Sequence, residues 1–159
     1  MPKFDEIRNA VTELRKDSDA YWDRLYNVMD YFERQLLDYW GIHQTGVMDN
    51  NGKLNAVFVI GIYDQEKQVV IQNAPFMLPK DGRKLCFDIL LNLPEKDSDQ
   101  ILIRKVVRVK FRHDKGSYLF EWEGVQSEIS CSEIDGKVEL KPFFDALHNQ
   151  LLSNLRFSK

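Results

Sequence analysis

The chain has 159 residues, 43% of them hydrophobic and 30% charged, with a formal net charge of −3. That size suits a single domain over 1–159, and the apolar fraction excludes an intrinsically disordered chain. So small a charge argues against a strong nucleic-acid binder and a halophilic acidic shell, leaving only a local patch to consider.

Ten Phe, six Tyr and three Trp supply enough apolar surface that disulfides are not needed for stability. Cys86 and Cys131, the only cysteines, read as reduced structural thiols. The opening "MPKFDEIRNAVTELRK" has acids early and no apolar signal core. No apolar run approaches the roughly 20 residues that span a bilayer. The expected location is the cytoplasm, without membrane contact.

Residues 1–40 form a helical region. Phe4, Ile7, Val11 and Leu14 recur at spacings of three and four, on one helix face. The polar "DSD" of Asp17 to Asp19 offers a fresh N-cap, so the pattern favours a helical pair over one long bent helix. An unbroken helix would be about 55 Å long, awkward in so small a domain unless a second chain shared it. The second segment carries Trp22, Leu25, Met29, Phe32 and Leu36 on a broad apolar face that a core or a partner would cover. Gly41 is its stop.

From 42 to 140 the period changes to that of an antiparallel meander sheet of five to seven strands. Asn51-Gly52 marks a turn that places Met48 opposite Asn55 and Val47 opposite Ala56. Leu54 to Tyr63, apolar on both faces, is the candidate central strand. "DQEK" then returns the chain, with Ile62 near Val69 and Ile60 near Ile71. "LCFDILLNL", Leu85 to Leu93, reads as a strand because Phe87, Ile89 and Leu91 alternate. Pro142 opens a C-terminal helix over 142–157 that packs Phe144, Leu147, Leu151 and Leu155 on the sheet. The fold class is α+β.

One stretch stands out. Arg104 through Arg112 holds five basic residues and no acid, and Tyr118, Phe120 and Trp122 follow at alternate positions. "HDKG" between them reads as a four-residue reversal, pairing Phe111 with Tyr118, Val109 with Phe120 and Val107 with Trp122. Parity then puts the rings on the buried face and Arg104, Arg108, Lys110 and Arg112 on the other, near the acids of the 121–139 segment. A nucleic-acid platform needs rings and cations on one accessible face, so nucleic acid is disfavoured. Arg108 and Trp122 jointly lining an open groove would remove the preference for a protein-contact module over an anion-binding site.

No HExxH, paired CxxC, GxxxxGK[ST], GxGxxG after a strand or GxSxG occurs. His43, His113 and His148 are scattered; His113 reads as part of the turn and His148 as a border of the core. Asp88 opposite Glu121 is the one acid/base arrangement worth a look. No catalytic residue, cofactor or metal ligand is assigned. The expectation is a non-enzymatic protein-interaction module of adaptor, immunity or chaperone type, pairing with a protein partner or with itself as a homodimer. The alternative is a small-ligand or anion-binding domain, enzymes included, with a pocket between sheet and helices. Candidate partner or anion contacts are Trp22, Tyr26, Arg104, Arg108, Lys110 and Arg112.

Overall fold

The computed structural model describes residues 2–43 and 46–156. Helix α1, Lys3–Trp40, runs 38 residues without interruption, about 57 Å at the usual rise. The helical pair expected from "DSD" is corrected to one helix. Asp and Ser inside a helix cost only tenths of a kcal/mol each against alanine, and no Gly or Pro breaks the segment. Asp5 and Glu6 sit at the positive N-terminal end. Gly41, at φ 62°, lets the chain leave, with its N–H on Asp38 O and that of Ile42 on Leu37 O, both at 3.2 Å.

The strands among the described residues are β1 (Val47–Met48), β2 (Leu54–Asn55), β3 (Phe58–Asp64), β4 (Val69–Ile71), β5 (Lys80–Asp81), β6 (Lys84–Pro94), β7 (Ile101–Asp114), β8 (Ser117–Trp122), β9 (Ile129–Ile134) and β10 (Lys137–Val138). Setting aside the two-residue pieces leaves six, within the expected five to seven. The main sheet runs β10-β9-β8-β7-β6-β3-β4, with β5 beside β6 and β1-β2 as a separate hairpin. All these strand pairs are antiparallel. The α+β class holds. The meander holds from β6 onward, but β3 sits between β4 and β6, so the 72–83 connection passes over a strand.

Three expected registers shift. Val47 pairs with Asn55 and Met48 with Leu54, because Asp49 organises a longer loop, its Oδ1 accepting from the N–H groups of Asn51 and Lys53 at 2.9 Å each. Ile62 pairs with Ile71, since the loop turns through Gln68 at φ 54°. Val109 pairs with Trp122 and Phe111 with Phe120. There the reversal is a two-residue loop, Lys115 at φ 49° and Gly116 at φ 81°, which matches the right-handed twist of a hairpin. Both larger shifts are by two residues, so side-chain parity survives.

The second half of α1 and helix α2 (Lys141–Leu155) cover one sheet face. Phe32 is the meeting point: its ring lies 5.1 Å from Phe87, 5.8 Å from Phe143 and 5.4 Å from Phe144. Phe111 and Phe120 stack at 4.8 Å, and Phe120 approaches Phe143 at 4.6 Å. Within α2, Phe143, Phe144 and Leu147 are buried, whereas Leu152 and Leu155 are exposed. The expected last residue of that helix, 157, lies outside the described residues. Gly61 must lack a side chain, because a Cβ there would collide with Ile71 O across the β3–β4 pair. Among the described residues no helix is long and apolar enough to cross a membrane.

The free half of α1 separates two classes of substitution. Phe32→Ala should lower the unfolding free energy by about 3–5 kcal/mol. Phe4→Ala, at concentrations low enough that the parent is monomeric, should change it by less than about 0.5 kcal/mol. Urea titrations of the two variants beside the parent check this.

Candidate functional site

The outer face of the sheet carries the basic row, and most of the row is balanced by its neighbours. Lys110 reaches Asp81 at 2.8 Å. Arg112 forms a two-pronged pair with Glu128, at 2.9 and 3.0 Å, and lies 3.7 Å from Asp114. Lys84 pairs with Glu121. Arg108 lies opposite Asp88 in the β6–β7 register and Arg104 opposite Asn92. Both arginines are exposed, and neither has an ion pair among the described residues. Asp88 accepts the Tyr63 N–H at 2.8 Å, so the expected Asp88–Glu121 arrangement does not form. Each acid has a different partner.

Trp22 and Tyr26 are half-buried on α1 and hold Lys80 over their rings, at 4.3 and 5.6 Å. They lie on the helix side of the sheet, away from the basic row. The six candidate contacts therefore do not converge. Tyr21 marks where α1 leaves the body: its hydroxyl donates to Arg83 O and accepts from the His113 N–H. Upstream, every residue from Lys3 to Ala20 is exposed except half-buried Asp5.

The sequence located that segment and tied an unbroken helix to a second chain, but did not show which residues would be exposed. Phe4, Ile7, Val11 and Leu14 share one face as expected, yet they are 66%, 59%, 59% and 69% exposed. Their spacing was the signal. What it could not say was whether the body of the same chain would reach them.

A second feature arises where β8 stops. β7 has 14 residues and β8 only six, so β7 lacks a β8 partner before Val109. Gly124, at φ 93°, turns the chain away. Gln150 of α2 fixes the departure, accepting the Trp122 indole N–H and donating to Glu123 O at 3.3 Å. An open groove of about 350 Å³ is left, walled by Lys105, Val107, Arg108, Trp122, Leu147 and Leu151. The expected separation of guanidinium and ring holds along the paired stretch and is corrected here: Arg108 and Trp122 border one groove. Trp122 is only 7% exposed, edge-on to Phe143, so it offers a wall and no stacking surface.

His113, His148 and Cys86 are half-buried and Cys131 is buried, whereas His43 is exposed. His113 lies in β7 opposite Tyr118 rather than in the turn, because the reversal is only two residues long. His148 borders the core, its Nδ1 accepting from the Trp40 indole N–H at 3.1 Å. Tyr39 donates to Asp145 at 2.5 Å, a bond that pushes its hydroxyl up to about 12. Cys131 is a free thiol that burial pushes up to about 11. Cys86, also free, is raised by burial as well.

Acid should weaken the fold in two stages. Burial lowers His113 below its ordinary 6.5, so its contribution is complete above that value and is lost as pH falls through the folded value. Glu128 is held below its ordinary 4.5 by the Arg112 hydrogen bond, and Asp81 below 3.8 by that of Lys110. Their contributions disappear at lower pH. In urea titrations from pH 7 to pH 3, His113→Gln should flatten the upper stage and Glu128→Gln the lower.

No family model, curated protein or solved structure matches this chain.

Proposed function

We propose that the chain is a non-enzymatic protein-interaction module that pairs with a second copy of itself through residues 3–20 of α1, with the cytoplasm as its expected compartment. The observation that carries this reading is the exposed row Phe4, Ile7, Val11 and Leu14 on a helical segment that stands clear of its own body. Successive spacings of three, four and three are those of a two-stranded coiled-coil seam.

Charge favours antiparallel pairing. Opposed helices would layer Phe4 on Leu14 and Ile7 on Val11 of the second copy. Lys3 would then flank Asp17 on both sides, and Ala10 would face Ala10, where small side chains allow close approach. Arg8 would meet its own counterpart, but Asp5 at 3.4 Å already offsets that charge. A parallel pair would instead set Lys3 beside Arg8. Opposed helices also place the two bodies at far ends of the pair. The docked half of α1 nucleates the free half, so association does not bear the cost of starting a helix. Four apolar residues per chain make a small interface, in keeping with micromolar association.

The groove that Arg108 and Trp122 share removes the preference that rested on the β7–β8 faces, so the first reading stands on α1 alone, and the groove itself supports a second: recognition of an acidic ligand at the end of β8. Phe32, Phe87, Phe120 and Phe143 fill the centre of the layer between sheet and helices, so the groove lies at its margin, between β7 and α2.

Light scattering coupled to size exclusion, from about 1 to 300 µM, should show a monomer passing to a dimer. Leu14→Asp should stay monomeric throughout with an unchanged unfolding midpoint at low concentration. Asp17→Lys should weaken the dimer about tenfold, and adding Lys3→Asp should restore it. A parent chain that is monomeric at every concentration overturns the reading.

A further inference from the structure

We propose that the unpaired edge of β7 from Arg104 to Arg108 is a strand-addition site for an extended acidic segment of a partner protein. The inference rests on the acidic-ligand reading of the groove and names its ligand. The two-residue loop makes Asp114 and Ser117 a hydrogen-bonded pair, so even-numbered residues of β7 aim their backbone groups towards β8. Odd-numbered ones aim at β6. The β6 ladder agrees, because Asn92, opposite Arg104, donates its N–H away from β7 to Val57 O at 2.7 Å.

Beyond Trp122, therefore, Arg104 and Val106 present N–H and C=O groups, and Arg108 its N–H, for which the described residues supply no partner. Open edges of this kind take an added strand readily, and the backbone bonds hold it. A segment antiparallel to β7 would continue the line that β8 abandons at Gly124.

The walls specify its side chains. Those turned towards the helices meet Leu147 and Leu151, with Val107 beside them. Those turned outward lie along the row of Arg104 and Arg108. Glu123 is the acid at the groove, against Lys105 and Arg108 in its lining and Arg104 one step along the strand. The fitting occupant alternates apolar and acidic residues. A second copy of this edge is disfavoured, since antiparallel self-pairing about Val106 would oppose Arg104 to Arg108 of that copy.

The test uses the full chain and a fluorescein-labelled peptide, Val-Glu-Leu-Glu-Val-Glu-Leu, read by anisotropy. Saturable binding is expected, absent for the peptide with Lys in place of Glu and reduced at least tenfold by Arg104→Glu with Arg108→Glu. Val106→Pro removes an outward-facing donor on an edge that tolerates proline; it should weaken binding at least tenfold, with circular dichroism confirming the fold. Two peptides N-methylated on alternate residues avoid reliance on any variant, and one should lose binding tenfold while the other keeps it. Equal affinity of the two isomers overturns strand addition even where the arginine variants still matter, leaving the acidic-ligand reading in place. No binding of the parent peptide overturns both.

Discussion

The packing of Phe32 against Phe87, Phe143 and Phe144 is the constraint from which the rest of the molecule follows. It locks the second half of α1 to the sheet and brings α2 against both. Burying one aromatic side chain is worth a few kcal/mol, and edge-on contacts add to that. Once residues 25 to 40 are seated, the path of residues 3 to 20 is no longer free to vary. They continue along the same axis, past Tyr21 and away from the end of the sheet. The exposed row is thus a consequence of where the core sits.

The same packing shapes the groove. α2 is held by Phe143 and Phe144, which sets Gln150 where it can receive Trp122 and hold Glu123. β8 leaves the sheet at that point while β7 carries on. A polar side chain on a helix thereby decides the length of a strand some 28 residues away in sequence. The outer face is organised by more local means: the pairs of Lys84, Lys110 and Arg112 with Glu121, Asp81 and Glu128 are partly exposed. Exposed pairs contribute little to stability, so their effect is chiefly to leave Arg104 and Arg108 as the bases of the row without an ion pair among the described residues, with Asp88 opposite Arg108 and Asp49 acting on Arg104 from a distance.

Much of this was legible in the sequence because periodicity is a local property. The alternation of Phe87, Ile89 and Leu91 identified β6, and the three-and-four spacing identified α1 and α2. The parity of the β7–β8 hairpin was right although its register was not, since a shift of two residues leaves every side chain on its face. What was hidden depended on distant partners or on backbone angles. Lys115 at positive φ made a tighter loop than "HDKG" suggests. Nothing within residues 54 to 71 reveals that β3 will take β6 as its second neighbour. The spacing of Phe4, Ile7, Val11 and Leu14 is identical for a buried row and an exposed one. The groove required Gly124 and Gln150 to be considered together.

One feature of α1 has a mechanical side. Between Lys3 and Trp40 the helix contains neither glycine nor proline, the usual places where such a rod bends sharply. A force applied near Phe4 is carried by the rod as torque, with Tyr21 as fulcrum and the aromatic cluster at Phe32 as the load. Engagement at the tip and strain in the interior are therefore two ends of one stiff lever, about 40 Å apart along its axis.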